Sequence, residues 1–192
     1  GKIFSTIIFN YQQSLYEIKK EFDAQIKEVL SSGLKITHLD THQHLHLFPP
    51  IGLILIDLAK KYSIRFIRIP TINNFKNSKM NILVYGVIKM FSQILKRNAN
   101  NNKIQFISFT GFNESGMLSK QKFYDLISNI KDKYTEIMCH PGFEDEGLHN
   151  KYGHWSFAWS KEYKMLMETS IKFLLKQKNI SLISYNEVYK NI

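Results

Sequence analysis

The fold is decided by residues 35–70, which read KITHLDTHQHLHLFPPIGLILIDLAKKYSIRFIRIP. Residues 35–39 predict a short strand, and the prolines at 49–50 suit the first turn of a helix over residues 51–61. Residues 63–69 alternate in hydropathy like a second strand, which the next residue, a proline, ends. A strand, a helix and another strand in this order predict two parallel strands joined by a right-handed crossover.

The rest of the chain continues this alternation. Before residue 35, apolar residues at helical spacing predict a helix from Leu15 to Leu30, which Gly33 ends. After residue 70 the sequence predicts, in order, a loop at 73–78, a helix at 80–96, a polar surface turn at 97–102, a strand at 103–109, a helix at 119–131, a strand at 135–139, a helix at 162–177, a strand at 180–184 and a helical turn at 186–189.

This order predicts a single domain of the α/β class over residues 1–192. We expect either an open sheet or an incomplete, irregular (β/α) barrel, with a mainly parallel sheet of about five strands and flanking helices. In both architectures the chemistry gathers at the carboxyl ends of the strands.

The composition describes a globular protein. The chain has 192 residues, 44% of them hydrophobic, with 14 Phe and 10 Tyr, which excludes a disordered protein. Its single cysteine, Cys139, excludes a disulfide scaffold and suits a reducing compartment, so we expect a cytoplasmic location. No apolar run reaches the roughly 18 residues that a membrane span requires.

The net charge of +10 raises the question of a polyanionic partner. Only Arg65, Arg68 and Arg97 among the 26 basic residues are arginines, and the lysines are scattered along the chain. Because arginine is the residue that reads phosphates in bidentate fashion, we interpret the charge as a solvated lysine-rich surface and expect no nucleic-acid partner. A basic polyanion-binding module stays open as an alternative, which a steep salt dependence of binding would reveal.

Four of the seven histidines lie within nine residues, at the end of the first predicted strand. If the backbone stays extended, side chains alternate between faces, and five polar residues then point the same way: His38, Asp40, His42, His44 and His46. Imidazoles beside a carboxylate are ligands of Zn²⁺ and other divalent ions. The stretch favours a metal or catalytic site over a surface cluster of histidines.

A second candidate, His140, follows the apolar strand at 135–139 and precedes the turn Pro141-Gly142. We expect it at the same sheet edge as His42, in a catalytic or substrate-binding role, although a hydrogen bond to the turn is the structural alternative. Strand alternation points Cys139 away from His140, so we interpret the cysteine as a small buried hydrophobic residue.

Arg68 and the segment 142–159 each allow two interpretations. Arg68 ends the second predicted strand, where it could hold a substrate oxygen or form a structural ion pair. The segment 142–159 could stack on sugar rings or form a lid that packs on itself; it contains Glu144, Asp145, Glu146, His149, His154, Trp155 and Trp159.

Taken together, these motifs resemble those of the YdjC-like (ChbG/HpnK-type) carbohydrate deacetylases. The resemblance rests on residues 38–46 with Phe48-Pro49, and on 138–142; it extends in order and spacing through 65–70 and 180–185. It implies a metal-dependent hydrolase that removes N-acetyl groups from amino sugars or glycolipids, on an irregular (β/α) barrel.

The resemblance also implies roles for individual residues. The family's metal is held by an Asp-Asp motif, a Gly-x-His motif and the last histidine of His-x-Asp-x-His, which corresponds to His42. The first two motifs do not occur before Gly33. This difference, together with the first residue being Gly1, leads us to expect the C-terminal two-thirds of such an enzyme, inactive as this fragment.

In the mechanism that the resemblance implies, a divalent ion (Mg²⁺ or Zn²⁺) activates water against the acetyl group. The remaining expectations are His140 as the group that protonates the leaving amine or steadies the oxyanion, Asp40 as the residue that orients a neighbouring imidazole, His38 and His44 as further metal ligands, and Arg68, His46 and Trp155 as substrate contacts. A phosphoesterase-like metal hydrolase is the alternative enzyme, and a homodimer is an open oligomeric state.

Overall fold

The structure, a computed structural model, describes residues 10–70 and 82–191. The predicted loop at 73–78 and the first two residues of the predicted helix at 80–96 lie outside this described part. The chain divides into two compact units. The described residues of the first unit are 10–70, 83–107 and 185–191, and those of the second are Ile82 and 108–184.

The first unit contains a parallel pair of strands among helices. Its elements are α1 (Tyr11–Ser31), β1 (His38–Leu39), a 3₁₀ helix (His42–Leu47), α2 (Pro49–Lys61), β2 (Phe66–Ile67), α3 (Ile82–Asn101, whose first residue belongs to the second unit) and α8 (Tyr185–Lys190). His38 lies opposite Phe66, and Leu39 lies opposite Ile67. Gln105 forms a further parallel bridge to Phe66. The predicted parallel pair is therefore confirmed, although both strands are shorter than the sequence suggests.

The core of the first unit lies between α2, β2 and α3. Leu55, Ile56, Ala59, Ile67 and Leu95 are among its members, and each is at most 2% exposed. Their burial holds β1 and β2 in place from one side, so that the residues following the strands start from a fixed position.

The second unit also contains one parallel pair. Its elements are β3 (Ser108–Thr110), a 3₁₀ helix (Phe112–Glu114), α4 (Lys120–Ser128), β4 (Thr135–Ile137), α5 (Glu146–Tyr152), a 3₁₀ helix (Gly153–Trp155), α6 (Trp159–Met167) and α7 (Thr169–Gln177). The register pairs Ser108 with Thr135 and Thr110 with Ile137. A second core joins α4, α6 and α7 through Leu118, Phe123, Ile127, Met165, Ile171 and Leu175.

Three predictions about elements are wrong. Residues 180–184 form no strand; Leu182 in this segment is 82% exposed. The predicted helix 162–177 is two helices, because Glu168 between them has an extended backbone. The predicted polar turn at 97–102 instead continues α3 to Asn101, since Asn98 and Asn102 satisfy their side-chain amides by donating to carbonyls four residues earlier, both at 2.9 Å.

The described residues thus form an α/β structure, mostly helical, with two small parallel sheets. Of the five predicted strands, the one at 180–184 is not formed, and the barrel stays a prediction. Within 10–70 and 82–191, every helix is too short or too polar to cross a bilayer.

Candidate functional site

The histidine-rich stretch does not continue β1 as a strand. β1 ends at Leu39, and the backbone closes into the 3₁₀ helix His42–Leu47, in which Gln43 and His44 have left-handed φ values of 52° and 55°. The prediction that alternate residues from 38 to 46 share one strand face is therefore wrong. Left-handed backbone at a residue other than glycine costs of order 1–3 kcal/mol, and such residues cluster at functional sites.

Two groups on Thr41 hold this turn together. The carbonyl of Thr41 accepts from the amide of His44 at 3.0 Å. Its hydroxyl accepts from the amide of His46 at 3.0 Å and donates to His46 Nδ1 at 2.7 Å. These bonds fix the turn despite its left-handed residues.

His46 is a structural residue in this arrangement. It is 0% exposed, and its Nε2–H donates to the carbonyl of Arg68 at 2.7 Å, while Nδ1 accepts from Thr41. Both ring nitrogens are occupied within the protein, so this geometry does not offer the substrate contact that we predicted for His46. Its role is to tie the turn after β1 to the residue after β2.

The pH dependence of stability reports on this buried imidazole. Burial is the main cause that lowers the pKa of His46 from 6.5 to about 4. The unfolded chain therefore takes up a proton at a higher pH than the folded chain does. We expect metal-free protein to have its full stability above about pH 6.5 and to lose about 3 kcal/mol as the pH falls towards 4. Urea unfolding at several pH values measures this loss.

Two variants separate His46 from the other titrating groups. His46→Gln should flatten the stability profile between pH 6.5 and 4, whereas His154→Gln, at an exposed imidazole, should leave its slope unchanged. An unchanged slope in His46→Gln would contradict the assignment.

Gly52 permits α2 to pack closely against the 3₁₀ helix His42–Leu47. A Cβ at this position would lie 2.6 Å from the carbonyl oxygen of His46 and 2.8 Å from Leu95 Cδ1. We expect Gly52→Ala to lower the free energy of unfolding by about 1–3 kcal/mol, because the backbone oxygen cannot move aside cheaply.

The matched control for this substitution is Gly86→Ala in α3. A Cβ there meets nothing within 4 Å, so alanine should be neutral or stabilising by up to about 1 kcal/mol. Chemical denaturation measures both variants, and equal stability of Gly52→Ala and the parent chain would contradict the close approach.

Arg68 and Asp40 form an ion pair between the residues that follow β2 and β1. The Arg68 side chain is 24% exposed and the Asp40 side chain is 37% exposed. This pairing favours the structural alternative for Arg68. The amide of Arg68 also donates to the carbonyl of Leu39 at 3.0 Å, which extends the β1–β2 pairing by one hydrogen bond.

The surroundings of His38, His42 and His44 differ from those of the buried His46. His38 shares a hydrogen bond of 3.0 Å with the hydroxyl of Thr37 and stacks on the ring of Tyr185 with 4.0 Å between centroids. His42 is exposed. His44 is half-buried, with its ring edge-on to that of His46 at 6.2 Å.

The donor types in this stretch suit a divalent metal, since imidazole is a good ligand for Zn²⁺. Within the described ranges, however, no three or more His, Cys, Asp or Glu residues converge as a group that could hold an ion. The described side chains can therefore contribute a ligand, and they do not by themselves form a complete coordination shell.

In the second unit, the backbone of His140 is fixed by a buried carboxylate. Glu162 of α6 is 0% exposed; its Oε2 accepts from the amide of His140 at 2.5 Å, and its Oε1 accepts from the amide of Leu118 at 2.9 Å. Hydrogen bonds to an ionised acceptor are about twice as strong as neutral ones.

The imidazole of His140 has one nitrogen held and one available. Nδ1 accepts from the amide of Gly116 at 3.2 Å, which selects the neutral form with the proton on Nε2. Among the described residues, Nε2 has no hydrogen-bond partner. Burial lowers the pKa of His140, and the negative charge of Glu162 opposes this effect. A neutral imidazole that presents Nε2–H can donate a hydrogen bond, whereas transfer of a proton requires the imidazolium form.

Aromatic rings adjoin His140. The ring of Phe157 lies 4.9 Å from that of His140, and the ring of Trp155 lies 5.4 Å from that of Phe157. Gly116 makes room for Phe157, since a Cβ at Gly116 would lie 2.1 Å from the Phe157 ring. Trp155 also contacts Tyr152, so much of segment 142–159 packs on itself, as one of our two alternatives states. The sugar-stacking role of Trp155 stays a prediction.

Polar residues of this segment mainly support its backbone. Asp145 caps α5 by accepting from the amide of Leu148 at 2.7 Å, and Glu144 accepts from the amide of Ser160 at 3.2 Å. Cys139 packs against the second core, where burial, followed by the charges of Glu162 and Glu136, raises the pKa of its thiol. This raised pKa agrees with the interpretation of Cys139 as a small hydrophobic residue.

Our sequence reasoning missed Glu162. It lies three residues after Trp159 and three before Met165, and both of these are buried. This spacing places Glu162 on the buried face of an amphipathic helix, and a charged residue at such a position was the available signal. His140 and His42 belong to different units, and their common sheet edge stays a prediction.

The fold and the site define an α/β protein in which a histidine follows one strand of each of the two parallel pairs. The sequence pattern of the YdjC-like protein family matches residues 2–177, and the chain belongs to this family.

Relatives of similar sequence agree with this membership. A carbohydrate deacetylase of Clostridium beijerinckii is 26% identical over 173 residues, which cover 90% of this chain and 61% of the relative. A carbohydrate deacetylase of Oceanobacillus iheyensis is 26% identical over 158 residues, which cover 82% and 57%. The chain thus spans less than two thirds of the length of either relative.

A solved structure has a similar fold. The crystal structure of an Enterococcus faecalis V583 protein, to which a role in cellobiose-phosphate cleavage has been attributed, matches with a TM-score of 0.66 at 20% identity. The match covers 91% of this chain and 61% of that protein.

Proposed function

We propose that these residues belong to a metal-dependent carbohydrate deacetylase that hydrolyses the N-acetyl groups of amino sugars or glycolipids. Family membership and the relatives named carbohydrate deacetylase support this class. The observation that carries the proposal is the hydrogen bonding of His140, whose Nδ1 is held by Gly116 and whose Nε2–H is available. We also propose a cytoplasmic location and leave a homodimer open.

His140 acts on this reaction in one of two ways: as the imidazolium it protonates the leaving nitrogen, or as the neutral imidazole it donates a hydrogen bond to the oxyanion. Water adds to the acetyl carbonyl carbon and gives up a proton to a carboxylate of the proposed Asp-Asp motif. The carbon–nitrogen bond then breaks, and the leaving nitrogen must take up a proton to depart as an amine. A general acid within hydrogen-bond reach contributes about 10²–10⁴-fold to such a step. The same Nε2–H can instead donate to the oxyanion that forms on the carbonyl oxygen.

His42 is the residue that we assign to the metal, with His38 and His44 as further candidates. Its exposed imidazole follows the N-cap Thr41 at the start of the 3₁₀ helix. A bound Mg²⁺ or Zn²⁺ ion supplies Lewis-acid polarisation and lowers the pKa of water from 15.7 towards about 7. Asp40 is paired with Arg68 and adds negative charge beside these imidazoles.

The remaining ligands are proposed to come from Asp-Asp and Gly-x-His motifs, neither of which occurs in the residues before Gly33. The described residues alone present no group of three ligands. We therefore propose that the 192 residues alone have little or no activity and that the full-length gene product carries it.

The proposal is tested by incubating the full-length gene product with N-acetylglucosamine oligosaccharides and measuring the acetate released. We expect release that a chelator abolishes and that added Mg²⁺ or Zn²⁺ restores. Release that is insensitive to the chelator would contradict metal dependence. Hydrolysis of phosphate esters without release of acetate would favour the phosphoesterase alternative. Salt-sensitive binding of polyanions without hydrolysis would favour the basic binding module.

A further inference from the structure

We propose that Glu162 is a positioning residue for His140, holding the imidazole in one place and one tautomer through two backbone amides. This inference rests on the proposed function, because it concerns the histidine that we assign as the proton donor.

The carboxylate of Glu162 is a buried charge. Glu162 is 0% exposed, and both of its carboxylate oxygens accept hydrogen bonds from backbone amides. A buried carboxylate costs several kcal/mol in lost hydration, and an apolar residue of similar size would avoid that cost. This cost is offset because the carboxylate accepts hydrogen bonds from two separate backbone amides.

The two amides that donate to Glu162 lie in different segments of the second unit. One amide belongs to Leu118, just before α4, and the other belongs to His140, after β4. Twenty-two residues of sequence separate the two donors. A single carboxylate therefore fixes the distance between two segments that are not otherwise neighbours along the chain.

The segment that contains Leu118 also holds the imidazole ring of His140. Gly116, two residues before Leu118, donates its amide to Nδ1 of His140 at 3.2 Å. Glu162 thus holds the backbone of His140 and, through Leu118, the short segment that holds its ring. No hydrogen bond joins the carboxylate to the imidazole itself, so Glu162 acts on the ring through the backbone.

Gly116 is itself fixed, which makes the arrangement rigid. Its carbonyl accepts from the amide of Ala158 at 2.7 Å, and Phe157 packs directly against its Cα. Because Gly116 is held independently of Glu162, a shift of the His140 backbone away from Glu162 would be taken up at the bond between Gly116 and His140. The expected consequence is loss of the preference for a proton on Nε2.

The test compares Glu162→Gln with the parent protein and with Glu168→Gln in the full-length gene product. Glutamine keeps the size of the side chain but has one acceptor oxygen, so one of the two amides loses its partner. Glu168→Gln makes the same chemical change at an exposed ion pair with Lys120, and serves as the matched control.

Two measurements are needed. Nitrogen-15 NMR of the His140 ring should show the form with the proton on Nε2 in the parent protein and in Glu168→Gln, and a mixture of tautomers in Glu162→Gln. The kcat for release of acetate should fall about 10²-fold in Glu162→Gln with little change in KM, because a misplaced catalytic group costs rate more than binding.

The outcomes separate this inference from the proposed function. If the parent protein releases no acetate, the proposed function fails, while the tautomer measurement still decides the positioning role. A parent His140 with its proton on Nδ1 overturns the inference without any variant, which covers the case in which Glu162→Gln does not fold. Loss of stability in Glu162→Gln with an unchanged tautomer and unchanged kcat also overturns it.

Discussion

Replacing His42 with alanine in the full-length gene product should remove the bound divalent ion and abolish deacetylation. Loss of Lewis-acid catalysis is worth several kcal/mol, which corresponds to a fall of about 10³-fold or more in kcat. Because His42 is exposed, its truncation should change the free energy of unfolding of the metal-free protein by less than about 0.5 kcal/mol. Elemental analysis of dialysed protein and an acetate-release assay measure the two main effects.

Gln43→Asn is the matched control for His42→Ala. It alters the next residue of the same turn and keeps a side chain that tolerates the left-handed backbone found there. This variant should retain metal and most of the activity. Activity that persists in His42→Ala after the metal has gone would refute the mechanism, and full metal content in that variant would refute the ligand assignment.

Replacing His140 with asparagine should lower kcat by about 10²–10⁴-fold while leaving the metal content unchanged. Asparagine can place an oxygen near the position of Nδ1, where it can still accept from Gly116, but it cannot donate a proton as an acid. The substitution therefore removes the proton donor and retains the contact with Gly116. Steady-state kinetics and metal analysis on the same preparation separate the role of His140 from that of His42.

An exposed histidine of the second unit provides the control for this variant. His149→Asn makes the same chemical change at a residue that we assign to no step, and should leave kcat within about twofold of the parent value. Loss of metal from His140→Asn would show that His140 is a ligand. Unchanged kcat would show that another group protonates the leaving amine.

The parallel pairing of strands was predictable because its signals are local. The alternation at residues 63–69 and the prolines at 49–50 define a strand and a helix start within a few residues of sequence. The position of His140 directly after a strand was likewise predicted from a local feature, the apolar segment at 135–139. The structure differs mainly in length, since β1 and β2 contain two residues each.

The geometry of the histidine stretch was not predictable from its pattern. Alternating polar residues indicate an extended backbone, but two consecutive residues of the stretch, Gln43 and His44, are left-handed. Their conformation depends on Thr41, whose hydroxyl and carbonyl serve His46 and His44. No propensity rule for single residues contains this combination, and the hydrogen bond from His46 to the carbonyl of Arg68 joins two segments 22 positions apart.

Secondary structure that depends on contacts with residues far along the chain was also poorly predicted. The asparagine-rich end of α3 has low helix propensity, yet Ala99 is 0% exposed and anchors that end to the core. Residues 180–184 have the composition of a strand but form none, and Leu182 among them is 82% exposed. Glu162 was missed because its amide partners lie in other segments of the chain.

The recognition of amides by Glu162 constrains which residues evolution can place at position 118. A carboxylate that binds a backbone N–H is indifferent to the identity of the donor's side chain, so Leu118 is free to vary among apolar residues that fit its buried site. Proline is the exception, because it has no amide hydrogen. Insertions or deletions between Gly116 and Leu118 should likewise be absent from active descendants of this chain, since they would change the spacing of two donors that serve different acceptors.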